Sequence, residues 1–299
     1  MRFIICSFLL LSYLFICGCD KKTTSHAGFK VKHVHIETMG ELPLEVPESS
    51  GLIVTSPNRI WTHNDSSNPN ELYLIDSTGV LQRTLMISNA TNIDWEDLAI
   101  DSNGYVYIND AGNNNNDRKD LKIWRIPHPD KATGNSTFAH AIAFTLEDQT
   151  EFPPPRSNRN FCIEAIIWKS DSIFMFTKDR SEPLTGYTKM YGVPASPGSH
   201  TAKLLDSLYI GNRNNHSRVT GADINFETGE VILLTRSHLL SFTNYPGNRF
   251  FKGEITDYRF IERVGQVEGV GFINGSSLYI SEESDEDSRG FLYRVNLAQ

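Results

Sequence analysis

One pattern recurs along most of the chain: an acidic residue, a small or polar pair, a short apolar run, a turn, a second apolar run and a polar cluster. It appears as "ESSGLIVTSPNRIWTHNDSS" from Glu48, "EDLAIDSNGYVYINDAGNN" from Glu96, "EAIIWKSDSIFMFTKDR" from Glu164, "DINFETGEVILLTRS" from Asp223 and "EGVGFINGSSLYISEES" from Glu268. The turns between the paired runs ("SPN", "SNG", "KSD", "ETG", "NGS") use residues that hairpins require. A third run follows every pair ("ELYLID", "LKIWRI", "KMYGV", "HLLSFT", "FLYRVNL"), and a fourth follows in all units but the last. Short runs rich in Val, Ile, Leu, Tyr and Phe and bounded by Gly, Asn, Asp, Ser and Pro are strands, and helical periodicity is almost absent. Self-similarity at a period of about 40 to 50 residues points to propeller blades. The expected fold is all-β, a β-propeller of five four-stranded blades. Because the last unit stops at Gln299 with three strands, the unassigned segment "FKVKHVHIE" (29–37) is expected to complete that blade and close the ring. A β-sandwich or barrel is the alternative, but it would not demand an acid at every fourth strand.

In a propeller the first strand of each blade lines the central channel and the second returns antiparallel to it. The start of one and the end of the other therefore reach the same rim. Two rings of side chains are expected there. The inner ring, Glu48, Glu96, Glu164, Asp223 and Glu268, brings five carboxylates to a narrow mouth. They cannot all stay ionised without compensation: some are protonated, some pin the neighbouring blade through its N–H groups, or a cation sits among them. Hard oxygen ligands suit Ca²⁺, and there is no His/Cys cluster to hold zinc. The outer ring differs from blade to blade, as expected for one asymmetric ligand. His63, Asp65 and Asp110 are its candidates for proton transfer. Trp95, Arg118, Lys178, Arg180, Arg236 and Glu282 are its candidates for holding a ligand, the cations suiting phosphate or carboxylate.

The N-terminus carries Arg2, an apolar run and Cys19, the layout of a secretory signal that is short for a membrane span. Residues 1–18 are read as a signal peptide, 19–28 as a tether and 29–299 as a single domain. With Cys6 and Cys17 removed and Cys19 lipidated, only Cys162 remains, so the mature chain has no intramolecular disulfide. The net charge of −8 becomes 27 − 36 = −9 without Arg2, which argues against binding nucleic acid. A small polar or anionic ligand is the expected partner, and the chain is expected to be a monomer. No G-x-S-x-G elbow, P-loop or H-E-x-x-H is present.

The segment "FICGC" (15–19) resembles a bacterial lipoprotein signal, which implies acyl chains such as palmitate on Cys19 and a lipid-anchored place in the cell envelope, periplasmic or surface-exposed. The motifs "PESSGL" (47–52), "WTHNDSSNPNELYLID" (61–76), "DWEDLAID" (94–101), "YINDAGNNNNDR" (107–118), "EAIIW" (164–168), "VTGADI" (219–224) and "EGVGF" (268–272) resemble a bacterial propeller group comprising the phytase-like esterase domains and the SdiA-regulated proteins. Calcium-bearing propeller hydrolases of the lactonase type are similar in placing a Glu at the start of an inner strand, which Glu48 would match, with Asp223 as a later ligand. Most inner positions here are Glu where those enzymes favour Asn. The resemblance implies a metal-dependent hydrolase of ester, lactone or phosphoester bonds; a non-catalytic lipoprotein recognising glycan or protein is the alternative.

Overall fold

The computed structural model describes residues 28–213, 217–285 and 288–298. The expected signal peptide and Cys19 lie outside these residues. Among the described residues there are 22 strands and three single 3-10 turns, and no helix is long and apolar enough to cross a membrane.

β1 (Lys30–Val34) and β2 (Ile36–Glu41) open the chain. The first blade is β3 (Ser49–Ser56), β4 (Arg59–Asn64), β5 (Glu71–Ile75) and β6 (Leu81–Ile87). The second is β7 (Leu98–Ile100), β8 (Val106–Asp110) and β9 (Lys122–Ile126), then, past the short β10 (Ser136–Thr137), β11 (His140–Leu146). The third is β12 (Cys162–Lys169), β13 (Ser172–Lys178), β14 (Tyr187–Pro194) and β15 (Gly198–Tyr209). The fourth is β16 (Val219–Ile224), β17 (Val231–Thr235), β18 (His238–Thr243) and β19 (Glu254–Phe260). The last comprises β20 (Val267–Phe272), β21 (Ser277–Glu282) and β22 (Phe291–Asn296), joined by β2.

Each first strand packs against the next blade's first strand, and β20 returns to β3, so the ring is closed. Middle strands such as β17 ("VILLT") are buried along their whole length because blades cover both of their faces, whereas the outer β15 is largely exposed. Outer edges are partly blunted by parallel additions: β10 on β6, β11 on β15, and β1 on β19. The N-terminal segment thus divides. Residues 30–34 cap blade four, and closure falls to 36–41, paired antiparallel with β22 from Ile36↔Val295 to Glu41↔Phe291.

The innermost hairpins share an irregularity that positions the mouth. Register shifts occur between Ser49 and Leu52, Ile163 and Ala165, Val219 and Gly221, and Val267 and Gly269. In blade two the Glu96 N–H donates to the Asn109 carbonyl at 2.9 Å while the Asn109 N–H donates to the Asp97 carbonyl. A bulge inserts a residue and re-aims its side chain. The residues so placed are Ser50, Glu96, Glu164, Thr220 and Glu268. Small residues follow in four blades, and three of them are glycines at blade seams. A Cβ on Gly51 would stand 2.3 Å from the Leu98 nitrogen, on Gly221 2.4 Å from the Glu268 carbonyl, and on Gly269 2.1 Å from the Ser50 carbonyl.

This corrects the expected inner ring. Glu96, Glu164 and Glu268 hold the bulged position, but blades one and four place hydroxyls there: Ser50 donates to the Glu96 carbonyl at 2.5 Å and Thr220 to the Val267 carbonyl at 2.9 Å. Asp223 lies three residues further along β16, on the order of 10 Å down the wall. There its carboxylate accepts the N–H groups of Ile224 (2.8 Å) and, from the next blade, Phe272 (2.7 Å). It is a blade pin, away from the acids of the mouth.

Candidate functional site

Glu164, fully buried, is the hub of the mouth. Lys178, at the end of the paired strand, donates to it at 2.7 Å, Arg180 approaches at 3.2 Å, and the Cys162 thiol donates at 2.8 Å. Burial works to raise the Glu164 carboxyl, but the Lys178 and Arg180 charges outweigh it and bring it down to about 2. Burial and the Glu164 charge push the Cys162 thiol up, so it stays protonated and offers no thiolate.

Beside this paired centre stand three acids without such partners. Single ligand atoms of Asp65, Asp94 and Glu96 lie within 4.8 Å of one another. Burial raises Asp65 to about 7. Asp94 rises to about 6 through burial and the Glu164 charge. Burial, with Glu164, Asp65 and Asp94 nearby, holds Glu96 well above the usual carboxylate range. Gly112 backs them: a Cβ there would stand 2.1 Å from a Glu96 oxygen and 2.6 Å from an Asp94 oxygen. The charges of "DWED" and "NDAGNN" therefore do meet at one rim. Three carboxylate oxygens this close can converge on one ion after small side-chain shifts. Neutral or unused donors are close in the fold. Asn109 gives its amide N–H to the Ile163 carbonyl at 2.9 Å and leaves Oδ1 buried without a donor among the described residues, and Glu268 leaves Oε1 in the same state. This donor set fits a hard divalent cation such as Ca²⁺.

Blades three and four supply the opposite sign. Arg180, Arg218 and Arg236 lie near enough to influence one another's charge; burial, then Arg180 and Arg236, lower the Arg218 guanidinium. Each of the three keeps a buried Nε–H without an acceptor among the described residues. Arg236 also donates to the Gln266 side chain, and Gln266 in turn donates to Glu283. Burial, with Glu268 and Asp65 facing it, raises Glu283 to about 9. Glu48 sits at the outer lip, where it accepts the Asn68 amide and adds to the field on Glu283.

Other expected site residues are placed elsewhere or committed to packing. His63 is wholly buried, its Nδ1 donating to the Asn64 carbonyl at 2.9 Å and its Nε2 accepting the Gly51 N–H at 3.3 Å. Burial lowers it to about 4, so it is neutral and both nitrogens are occupied. Trp95 is equally buried, edge-on to His63 at 5.7 Å, rather than walling the mouth. Asp110 braces the rim by accepting the Asp94 N–H (3.2 Å), the Trp124 indole (3.1 Å) and Arg118 (3.1 Å). Arg118 also donates to the Gly112 carbonyl at 2.7 Å, which ties it to its own loop. Glu282 accepts the Gly265 N–H at 2.6 Å and the Tyr293 hydroxyl, a scaffold role. Glu283 was expected on the outer ring beside Glu282; two mouth residues, Asp94 and Arg218, were not among the expected ring residues. Asp94 belongs to the acidic motif "DWED" that precedes β7, and the bend at residues 93–94 brings it beside Glu96.

No protein-family model matches the chain, and no curated protein matches it. Among solved structures it is similar to a PQQ-bound aldose sugar dehydrogenase from Streptomyces coelicolor, with 11% identity over 87% of this chain and 98% of that one and a TM-score of 0.49. It is also similar to a gluconolactonase from Xanthomonas campestris (10% identity, 88% and 89% covered, TM-score 0.41). A third is virginiamycin B lyase from Staphylococcus aureus (14% identity, 83% and 66% covered, TM-score 0.39). At these identities and TM-scores nothing is carried over from them, and the fold and the chemistry of the site rest on this chain's own residues.

Proposed function

We propose that the channel mouth binds a divalent cation and a small anionic or polar ligand side by side, and that the protein is a metal-assisted hydrolase of ester, lactone or phosphoester bonds. The observation that carries this is the polarity of a single mouth: an unpaired acidic pole from blades one and two faces a cationic pole from blades three and four. Asp65, Asp94 and Glu96 would hold the cation, with the Asn109 amide oxygen as a neutral donor. A cation bound there supplies Lewis acidity toward a carbonyl or phosphoryl oxygen. Arg180, Arg218 and Arg236 would orient the ligand's oxygens through their guanidinium charge. Glu283, held protonated at neutrality, is the group able to give a proton to a departing oxygen. His63 has no part in this chemistry.

A binding role without turnover is the second reading, favoured by His63: both of its ring nitrogens are taken, so it is no base for the mouth. The two readings separate on one experiment. Metal content of the purified protein is measured, followed by calcium titration of Asp65→Asn and Glu96→Gln and a panel of aryl esters, lactones and phosphoesters. Hydrolysis that needs calcium and disappears in both variants supports the enzyme; calcium binding lost in the variants with no turnover on any substrate supports the binding protein; no metal response ends both. An anchor on Cys19 would place the mouth in the cell envelope, and Cys19→Ala should release the protein from the membrane fraction.

A further inference from the structure

A second cavity, of about 600 Å³, opens on the flank of the ring, between the outer strands of blade three and the 3-10 turn Phe250–Lys252 that precedes β19. It shares no lining residue with the mouth. Its floor is apolar, formed by Phe174, Met190 and Leu205. That floor is braced across the blade seam, since the Phe174 ring meets Phe250 edge-on at 5.0 Å. Room above it comes from Gly192, whose added Cβ would meet only the end of the Leu205 side chain, at 2.9 Å.

The rim is positive on a chain whose net charge is −8. It carries Lys203, Arg249 and Lys252 against a single acid, Asp206. Asp206 is taken by Lys252 at 2.9 Å, and Lys203 is held at 2.9 Å by Glu147, which stands outside the cavity. Arg249 is exposed, and its guanidinium has no acceptor among the described residues. An apolar floor, a volume in the range of small-molecule sites and an uncommitted guanidinium at the edge are complementary to one chemical class.

We propose that this cleft binds a small organic anion, its ring-sized apolar body against Phe174, Met190 and Leu205 and its carboxylate or sulfonate on Arg249, with Lys203 and Lys252 adding to the field. An uncharged molecule of the same shape would gain the floor but not the rim, and a bare inorganic anion the rim but not the floor.

The test uses 2-naphthoate as probe, its neutral analogue 2-naphthylmethanol as control, and isothermal titration of the whole protein. Expected is binding at one site per chain, weaker for the alcohol. Arg249→Ala, at an exposed position that leaves the core untouched, should weaken 2-naphthoate about tenfold, the loss of one charge-assisted hydrogen bond. Gly192→Leu should fill the cavity and abolish binding of both molecules, with an unchanged melting temperature showing that the fold persists. Vesicles containing an anionic phospholipid form a further arm. No binding of 2-naphthoate at millimolar concentration overturns the proposal, as does equal affinity for acid and alcohol or indifference to both variants. Binding confined to the anionic vesicles and lost in Arg249→Ala also overturns it, because the rim would then be a lipid headgroup site and the cavity would have no role.

Discussion

At the scale of single residues, the mouth is held by an arrangement in which charge is tolerable only in company. Glu164 and Lys178 are both buried and bonded at 2.7 Å, and Arg180 closes the other carboxylate oxygen. Removing Lys178 leaves the buried Glu164 with Arg180 and the Cys162 thiol alone, a loss of up to about 3 to 5 kcal/mol, the cost of a fully stranded buried charge. Lys178→Met is therefore expected to destabilise by that amount in urea unfolding, although its volume is nearly conserved. Adding Glu164→Gln removes the stranded charge, so the double variant should recover part of the loss. If the single variant is as stable as the parent, the pair is not the anchor of the mouth. The polar loop 112–118 shows how a local sequence can mislead. A run of asparagines has the composition of a solvated loop, yet Asn113 and Asn116 are buried, Asn113 accepting the N–H groups of Asp117 and Arg118. Hydrogen bonding to its own backbone, not to solvent, explains that composition.

Among the elements, the strands were legible because each leaves a run of β-branched and aromatic residues between turn formers; "HLLSFT" coincides with β18 over its full length. The frame of the repeat was less so. A bulge inserts a residue without any compositional mark, so aligning on acids placed Glu48 where Ser50 belongs and Asp223 where Thr220 belongs. The truer signal is the small residue after the bulge, Gly51, Ala165, Gly221 and Gly269, which the close approach of the next blade demands. Asp97 takes that place in blade two and uses its side chain instead. It accepts the N–H groups of Leu98 (2.8 Å), Ile166 (2.9 Å) and Ala222 (3.1 Å), drawing strands of three blades to one carboxyl deep in the channel. Asp97→Ala would leave the latter two donors buried and unmet, at about 1 to 3 kcal/mol each. The expected outcome is a lower denaturation midpoint together with faster amide exchange at Ile166 and Ala222. Loss of stability without that local exchange would assign the effect to something other than the pin.

Over the whole molecule, closure and the acidic mouth act against each other, and pH exposes the balance. β2 closes the ring, so truncation through residue 41 should bare the edge of β22 and turn a cooperative unfolding transition into aggregation, seen by light scattering. In the closed ring Asp65 rises from 3.8 to about 7, Asp94 to about 6 and Glu283 from 4.5 to about 9, chiefly through burial. A raised carboxyl binds its proton more tightly in the folded chain than in the unfolded one. Its contribution to stability is therefore complete below the unfolded value, near 4, and is lost as pH climbs through the folded value. Glu164 has the opposite sign: its contribution is present above 4.5 and fades as pH falls toward about 2. Together these groups place the best stability of the metal-free protein on the acid side of neutrality, with a decline between about pH 5 and 9. A cation on Asp65, Asp94 and Glu96 compensates those charges and should flatten the decline up to about pH 7, while leaving the part due to Glu283 in place. Melting temperatures measured across that range, with EDTA and with millimolar calcium, read this directly. Parallel curves would mean that the three carboxylates do not share an ion, and a metal-free curve that rises from pH 5 to 9 would mean that burial does not govern their protons.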